Sequence, residues 1–356
     1  MPSRGRHGGA AKAICLLLVN AQPTFSLRCV TFNIHAWRDA AHCDNFDKLV
    51  ALLCTLQPID VLCLNEVIDP FTAPPADDPY WETVRQRRGY GSALPPAAVP
   101  SDPSLSYLSL LSSALALPYV AFGAATTSRS FFGVSPYGNA ILSRHQLKSV
   151  RNVVARSTEA DLSLGGQERT AQDLEDRSCL VATVEADGQP KLGVVCTHLD
   201  HKAEELREKQ IARFLAEACE AFGSAVPFVL CGDLNSFDER DMDAEGWQAI
   251  CDLYASRGWP PPPRRSLVRN ALEASGLRDT FGLQSRPSAG AGSGSSGGRG
   301  PQQPPATSWT ETRIDYVMAH DAEAHTIRVR SHQTVSSDAS DHLPVVVELE
   351  VMARRS

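Results

Sequence analysis

Eight short runs of apolar and β-branched residues, each bounded by polar turns, constrain most tightly what this chain can fold into. They are LRCVTFNIH (27–35), IDVLCLNEV (59–67), YGNAILSRH (137–145), SCLVATVEA (178–186), KLGVVCTHL (191–199), PFVLCGDLN (227–235), TRIDYVMAH (312–320) and PVVVELEV (344–351). Such residue types favour extended backbone. Most of the runs are continuously apolar rather than alternating, which predicts sheets covered on both faces. Helical spacing between the runs supplies the cover. From about Asp44, residues Phe46, Leu49, Val50, Leu53 and Leu56 recur at intervals of three and four. From about Ala203 to Phe222, one side carries Leu206, Ile211, Phe214, Leu215, Ala218 and Phe222, and Gly223 marks the stop. A third helix is predicted over Ser104 to Leu117. Strands interleaved with helices predict an α/β (α+β) chain whose helices lie against its sheets.

Three stretches break this pattern. DPFTAPPADDP (69–79) and LPPAAVPSDP (94–103) are too rich in proline for a sheet interior. The segment 285–305, SRPSAGAGSGSSGGRGPQQPP, has no acidic residue and nothing apolar larger than Ala or Pro. It lacks the surface to order itself and is expected to be a disordered insertion within one domain, since strands on both sides are needed for one core. The expected organisation is an N-terminal extension over 1–26, a domain over 27–351 and a short tail over 352–356.

Charge and cysteine usage narrow the function classes. A formal net charge of −7 provides no overall attraction for nucleic acid or anionic lipid. No run approaches the roughly 20 apolar residues that span a bilayer. The ten cysteines show no C-x-x-C pair. Cys29, Cys63, Cys196 and Cys231 lie inside apolar runs and read as small buried hydrophobes, which favours a reducing, intracellular compartment. The first 38 residues contain no acid, and the apolar run Ala13 to Val19 precedes Val19-Asn20-Ala21. That pattern suits a cleaved signal or transit peptide and a frayed extension equally. A monomer is expected.

The apolar runs share one further property. Asn33, Glu66, His198, Asp233 and Asn235 sit at or near the ends of their runs, Asp315 lies inside another, and Asp341-His342 leads into the last. A carboxylate in an apolar run is costly unless paired or metal-bound. One such residue is an ordinary satisfied group. Three acid-bearing strands together with two histidines in like positions point to a shared site.

In this order, TFNIH, LCLNEV, YGNAILSR, CTHLDH, CGDLNS, RIDYV and SDHLPV resemble the motifs of the endonuclease/exonuclease/phosphatase superfamily, over nearly the whole chain. The resemblance implies a four-layered sandwich, two mixed β-sheets packed face to face with helices outside, and a site where strand ends meet at one edge. It also implies roles. Glu66, Asn33 and Asp341 would hold a divalent metal. Magnesium, with manganese as a substitute, suits such oxygen donors. Asp233 would orient and deprotonate the attacking water, with Asn235 beside it. His342 would bind a phosphate oxygen, with its tautomer fixed by Asp315, and His198 would bind phosphate from the opposite side. Asn33 would also contact phosphate. Asn139 is either a phosphate contact or a packed turn residue. Arg177 and Arg207 are weaker phosphate candidates, while His145 and His201 read as structural or solvated.

The resemblance thus implies a metal-dependent phosphoesterase. RIDYV stands where inositol-phosphate phosphatases of the superfamily carry a Trp-Cys-Asp-Arg type stretch. The combination of THLDH, Arg207 with Gln210, and SDASDHLPV looks most like a branch of small metal-dependent hydrolases that includes relatives of lipid-anchor remodelling domains. The expected substrate is therefore a phosphodiester of a small molecule or lipid headgroup. The alternatives are a nuclease or deadenylase acting on DNA or RNA, and, more remotely, a non-catalytic scaffold of the same fold.

Overall fold

In the computed structural model, which describes residues 24–41, 43–70, 106–130, 133–166, 174–258, 261–284 and 303–354, the apolar runs pair into two six-stranded sheets. The strands are β1 (Thr24–Asn33), β2 (Val61–Ile68), β3 (Tyr119–Ser130), β4 (Gly133–Ser143), β5 (Gln146–Ala155), β6 (Arg177–Ala186), β7 (Gln189–His198), β8 (Phe228–Asp233), β9 (Arg278–Asp279), β10 (Asp315–His320), β11 (His325–Thr334) and β12 (Val345–Ala353). One sheet runs β11-β12-β1-β2-β4-β3 and the other β5-β6-β7-β8-β10-β9. Both are mixed, because β1 and β2 pair in parallel, as do β7 and β8, while the remaining neighbours are antiparallel.

The sheets face each other across an apolar layer. Leu27, Cys29, Val61 and Cys63 of one sheet meet Leu180, Val194, Cys196, Val229 and Cys231 of the other. Alternate residues point outward, as strand geometry requires. Val30, Phe32, Leu62 and Leu64 pack beneath helices α1 (Phe46–Thr55) and α2 (Tyr107–Leu115). On the other side, Cys179, Val195, Phe228 and Leu230 pack beneath α3 (Glu204–Phe222) and α5 (Leu267–Ala274), while α4 (Ala244–Ser256) builds a smaller cluster with Phe237 and Ile314. A four-residue helix, α6 (Thr280–Leu283), follows β9. The continuous apolar runs are therefore covered on both faces, and the architecture is a four-layered α/β sandwich.

The six residues expected on the inner side of α3 are all buried, and the chain leaves the helix at Gly223 with φ +56°. Four strands were absent from the sequence expectation: β3, β5, β9 and β11. All lie at sheet edges, where one side meets solvent and the residues need not be apolar. The domain limits also move outward. β1 begins at Thr24, inside the expected N-terminal extension, and β12 runs to Ala353, inside the expected tail. Residues 1–23, the proline-rich stretches from 71 to 103, and 285–302 of the expected insertion lie outside the described residues. Among the described residues, no helix is long and apolar enough to cross a membrane.

Candidate active site

Strand register gathers the polar residues before any side chain is considered. In β7·β8, His198 pairs with Asp233, and in β10·β8 Asp315 pairs with the same Asp233. In β1·β2, Asn33 pairs with Asn65. Asn33, His198 and Asp233 end β1, β7 and β8, and Asp315 starts the antiparallel β10, so these four lie at one edge of the sandwich.

Glu66 reaches this edge through a local irregularity. Between Leu64 and Val67 the pairing of β2 with β4 shifts, so Asn65 and Glu66 oppose the single residue Asn139. Glu66 takes φ +58° there. A bulge of this kind re-aims side chains and recurs beside functional sites. Asn65 follows Val61 and Cys63 into the layer between the sheets by ordinary alternation, and the bulge leaves the Glu66 carboxylate half-buried at the rim.

Asp233 lies at the centre. Its Oδ2 is 3.0 Å from Asn33 Nδ2, 3.4 Å from His198 Nε2 and 3.7 Å from His342 Nε2. Its Oδ1 accepts from Asn235 N at 2.8 Å. Burial, the largest influence, pushes its carboxyl up to about 7, with Asp315 adding to the rise and His342, Asn33 and Asn235 opposing it.

The two histidines flanking it differ in charge. His342 Nδ1 lies 2.8 Å from Asp315 Oδ2. Burial works against the charged ring, but Asp315 and Asp233 outweigh it and lift His342 to about 10. Nδ1 therefore donates to Asp315, and Nε2–H points to the side of Asp233. His198 is held well below the usual imidazole range by burial first, then by Arg177 and His342. Arg177 Nη1 sits 3.0 Å from His198 Nδ1. Guanidinium and carboxamide nitrogens only donate, so Arg177 at Nδ1 and Asn235 at Nε2 each turn a donor towards the ring. Asn235 Nδ2 lies 3.0 Å from His198 Nε2 and donates to Leu199 O at 3.1 Å.

The metal-binding candidates form the other half of the edge. Asn33 Nδ2 donates to Glu66 Oε1 at 3.0 Å as well as to Asp233, so one amide ties the two carboxylates together across the sheets. Asn33 Oδ1 accepts from His35 N at 3.0 Å. Asp341 stands beside them, with Oδ1 3.5 Å from His35 Nδ1. Ser340 Oγ fixes the segment by donating to Asn33 O at 2.8 Å and accepting from His342 N at 3.2 Å.

Several candidates belong to the supporting structure. Asn139 uses its whole amide in the core, accepting from Asn65 Nδ2 at 2.8 Å and donating to Ser178 O at 2.9 Å, so it packs rather than facing the edge. Arg207 donates to Glu204 Oε2 and to Asp200 O, and Gln210 Oε1 accepts from Asp200 N. Both brace the THLDH loop from behind. His145 lies 3.6 Å from Asp60, at the opposite end of β2. His201 Nδ1 meets Arg177 Nη2 at 3.2 Å.

Sequence reasoning missed the positioning residues. Asn65 donates to Asn139 and to Thr197 O at 2.9 Å, and its Oδ1 accepts from Asp233 N at 3.0 Å. It clamps both sheets directly behind Asp233. Thr307 Oγ1 accepts from Asp315 N at 3.0 Å, and Arg177 orients His198. Asn65 left one signal, a polar residue beside Glu66 in an otherwise apolar run. Ser340 and Thr307 left none, since hydroxyls in loops are ordinary.

Residues 30–342 match the model of the Endonuclease/Exonuclease/phosphatase family. No curated protein sequence matches. Among solved structures, an endonuclease/exonuclease/phosphatase from Beutenbergia cavernae is 23% identical with a TM-score of 0.58, covering 92% of this chain and 72% of that one. A family protein from Leptotrichia buccalis is 16% identical with a TM-score of 0.54, covering 90% and 98%. The human Nocturnin catalytic domain with bound sulfate anion is 17% identical with a TM-score of 0.51, covering 93% and 98%. At such identities the likeness establishes the shared fold.

Proposed function

Because the chain belongs to the Endonuclease/Exonuclease/phosphatase family, we propose that it hydrolyses a phosphoester by in-line attack of water, its substrate being a phosphodiester of a small molecule or lipid headgroup. The observation carrying this reading is the place of Asp233 Oδ2, with Asn33, His198 and His342 grouped around one oxygen.

A base works best when its pKa lies near the working pH. Asp233, at about 7, meets that condition, and its buried oxygen orients the water it deprotonates. His342, raised to about 10, brings a positive charge and an Nε2–H donor to a non-bridging phosphate oxygen. Asp315 behind it keeps the proton on Nδ1 and the ring in place. His198, neutral, brings a polar ring to the other side without adding charge that would depress Asp233. The groups are fixed before substrate arrives, so they stabilise developing charge without reorganising.

Glu66, Asp341 and Asn33 Oδ1 supply oxygen donors only, a set that fits magnesium or manganese rather than a softer ion. Asn33 has turned its Nδ2 to the two carboxylates, and its Oδ1, which accepts from His35 N, keeps a second lone pair. Bound there, such a cation would withdraw charge from the phosphoryl oxygen. A net charge of −7 favours a small anionic substrate over a polyanion.

A magnesium titration with bis-p-nitrophenyl phosphate, p-nitrophenyl phosphate and a labelled oligonucleotide tests the reading. The diester is expected to turn over fastest. Preferred cleavage of the oligonucleotide replaces this reading with a nuclease. No turnover of any of the three with magnesium or manganese leaves a scaffold.

A further inference from the structure

The layer between the sheets holds a second convergence that hydrolysis does not use. Cys29 on β1 and Cys63 on β2 face this layer from one sheet, and Cys196 on β7 and Cys231 on β8 from the other. All four are fully buried. Register explains the grouping. Cys196 and Cys231 are direct partners in β7·β8, and Cys63 pairs with Thr31, two residues along β1 from Cys29. Cys29 Sγ lies 3.6 Å from Cys231 Sγ across the layer. The sulfurs of Cys29, Cys63 and Cys231 are all within 4.8 Å of one another, and Cys196 stands beside Cys231 on the neighbouring strand.

Packing alone does not call for this arrangement. The other buried apolar residues of that layer are Val, Leu, Ile and Ala, and its cysteines occupy neighbouring positions. The thiols are free rather than bridged. Their spacing suits an ion: a tetrahedral centre with metal–sulfur bonds of about 2.3 Å keeps its sulfurs roughly 3.8 Å apart.

We propose that Cys29, Cys63 and Cys231, completed by Cys196, form a buried structural site for a soft d10 metal ion, zinc or copper(I), that pins the two sheets together. Thiolate ligands select such ions over magnesium, so this site and the oxygen-lined edge do not compete. Cys196 accepts from Asn65 Nδ2 at 3.7 Å, which gives one sulfur a donor to share its charge. Asn65 also holds Asp233 N, so the ion would stiffen the wall behind the hydrolytic site. With no exposed ligand, the ion enters during folding, each thiol releasing its proton as the metal–sulfur bond forms.

The test uses the full chain without a histidine tag, produced with zinc and copper supplied and then desalted. Elemental analysis is expected to find about one zinc or copper per chain, as for a site formed on folding. A chelator should remove it only after denaturation. X-ray absorption at the metal edge should show a sulfur-only shell, and this reading needs no variant. Cys63→Ala should lose the metal, whereas Cys179→Ala, which lies on the other face of its sheet, should keep it. Metal-free folded protein, a nitrogen/oxygen shell, or a mass two hydrogens short because two of these thiols have joined in a disulfide would each overturn the proposal.

Discussion

His342 places its two ring nitrogens between two acids, Nδ1 at 2.8 Å from Asp315 Oδ2 and Nε2 at 3.7 Å from Asp233 Oδ2. Asp233 and Asp315 are themselves register partners on adjacent strands. Two buried carboxylates side by side would repel, and a protonated imidazole between them makes the arrangement tenable. Charge on His342 and ionisation of Asp233 are therefore linked.

His342 should keep its proton to about 10. Nitrogen NMR of the imidazole in metal-free protein is expected to show a charged ring at pH 8. The sign follows from linkage: a raised histidine pKa stabilises the fold below about 6.5 and the contribution is lost as pH climbs through about 10. Asp315→Asn should return the titration towards the ordinary range. An unchanged titration would show that Asp315 does not hold the charge.

Asp233→Asn keeps the shape but removes the proposed base. Turnover on bis-p-nitrophenyl phosphate should fall by roughly a hundredfold or more, with circular dichroism unchanged. The variant should also unfold no more easily at neutral pH, because a carboxyl whose folded pKa is raised to about 7 costs stability when ionised. Near-normal turnover would remove Asp233 as the base.

Glu66→Ala tests the metal edge separately. The magnesium concentration for half-maximal activity should rise at least about tenfold, while the protein remains folded. A superimposable metal titration takes Glu66 off the list of ligands.

Asn65→Leu removes a cross-sheet clamp. Thr197 O, Asn139 Oδ1 and Asp233 N–H would each lose a buried partner. At about 1–3 kcal/mol for each unsatisfied group, denaturant unfolding should show a loss of roughly 3 kcal/mol or more. A loss below 1 kcal/mol would mean that the layer repacks or admits water.

Arg313 and Asp279 form a two-pronged ion pair of 2.6 and 2.7 Å behind the site. Burial raises the Asp279 carboxyl, but Arg313 prevails and holds it below the usual value. Asp279→Asn leaves a buried guanidinium short of its counter-charge and should cost about 3 kcal/mol near neutrality. A depressed carboxyl stabilises above its unfolded pKa of about 3.8 and loses this as pH falls through the folded value. The gap between wild type and variant should therefore narrow in acid. A gap constant from pH 7 to pH 3 would assign the loss to something other than the charge.

The central strands were legible because burial on both faces forces continuous apolar runs, as in residues 61–64 of β2 and 228–231 of β8. The edge strand β5, QLKSVRNVVA, is largely exposed and carries no such run. Glu66, Asp233 and Asp315 stood out because acids in apolar surroundings are costly. The clamps did not: Ser340 and Thr307 are common loop hydroxyls, and Arg207 looked as suited to phosphate as Arg177 until the fold spent it on Glu204 and Asp200.

Local order in the chain decided which segments extend, which coil and which kinds of donor and acid are available, because periodicity and residue type act between near neighbours. Distance decided the rest. His198 and His342 both follow or precede apolar strands and are chemically alike as residues, yet one is neutral beside Arg177 and the other charged between two acids. Desolvation and Coulomb forces vary over a few ångströms, and those ångströms separate residues that are tens of positions to more than a hundred apart in the chain.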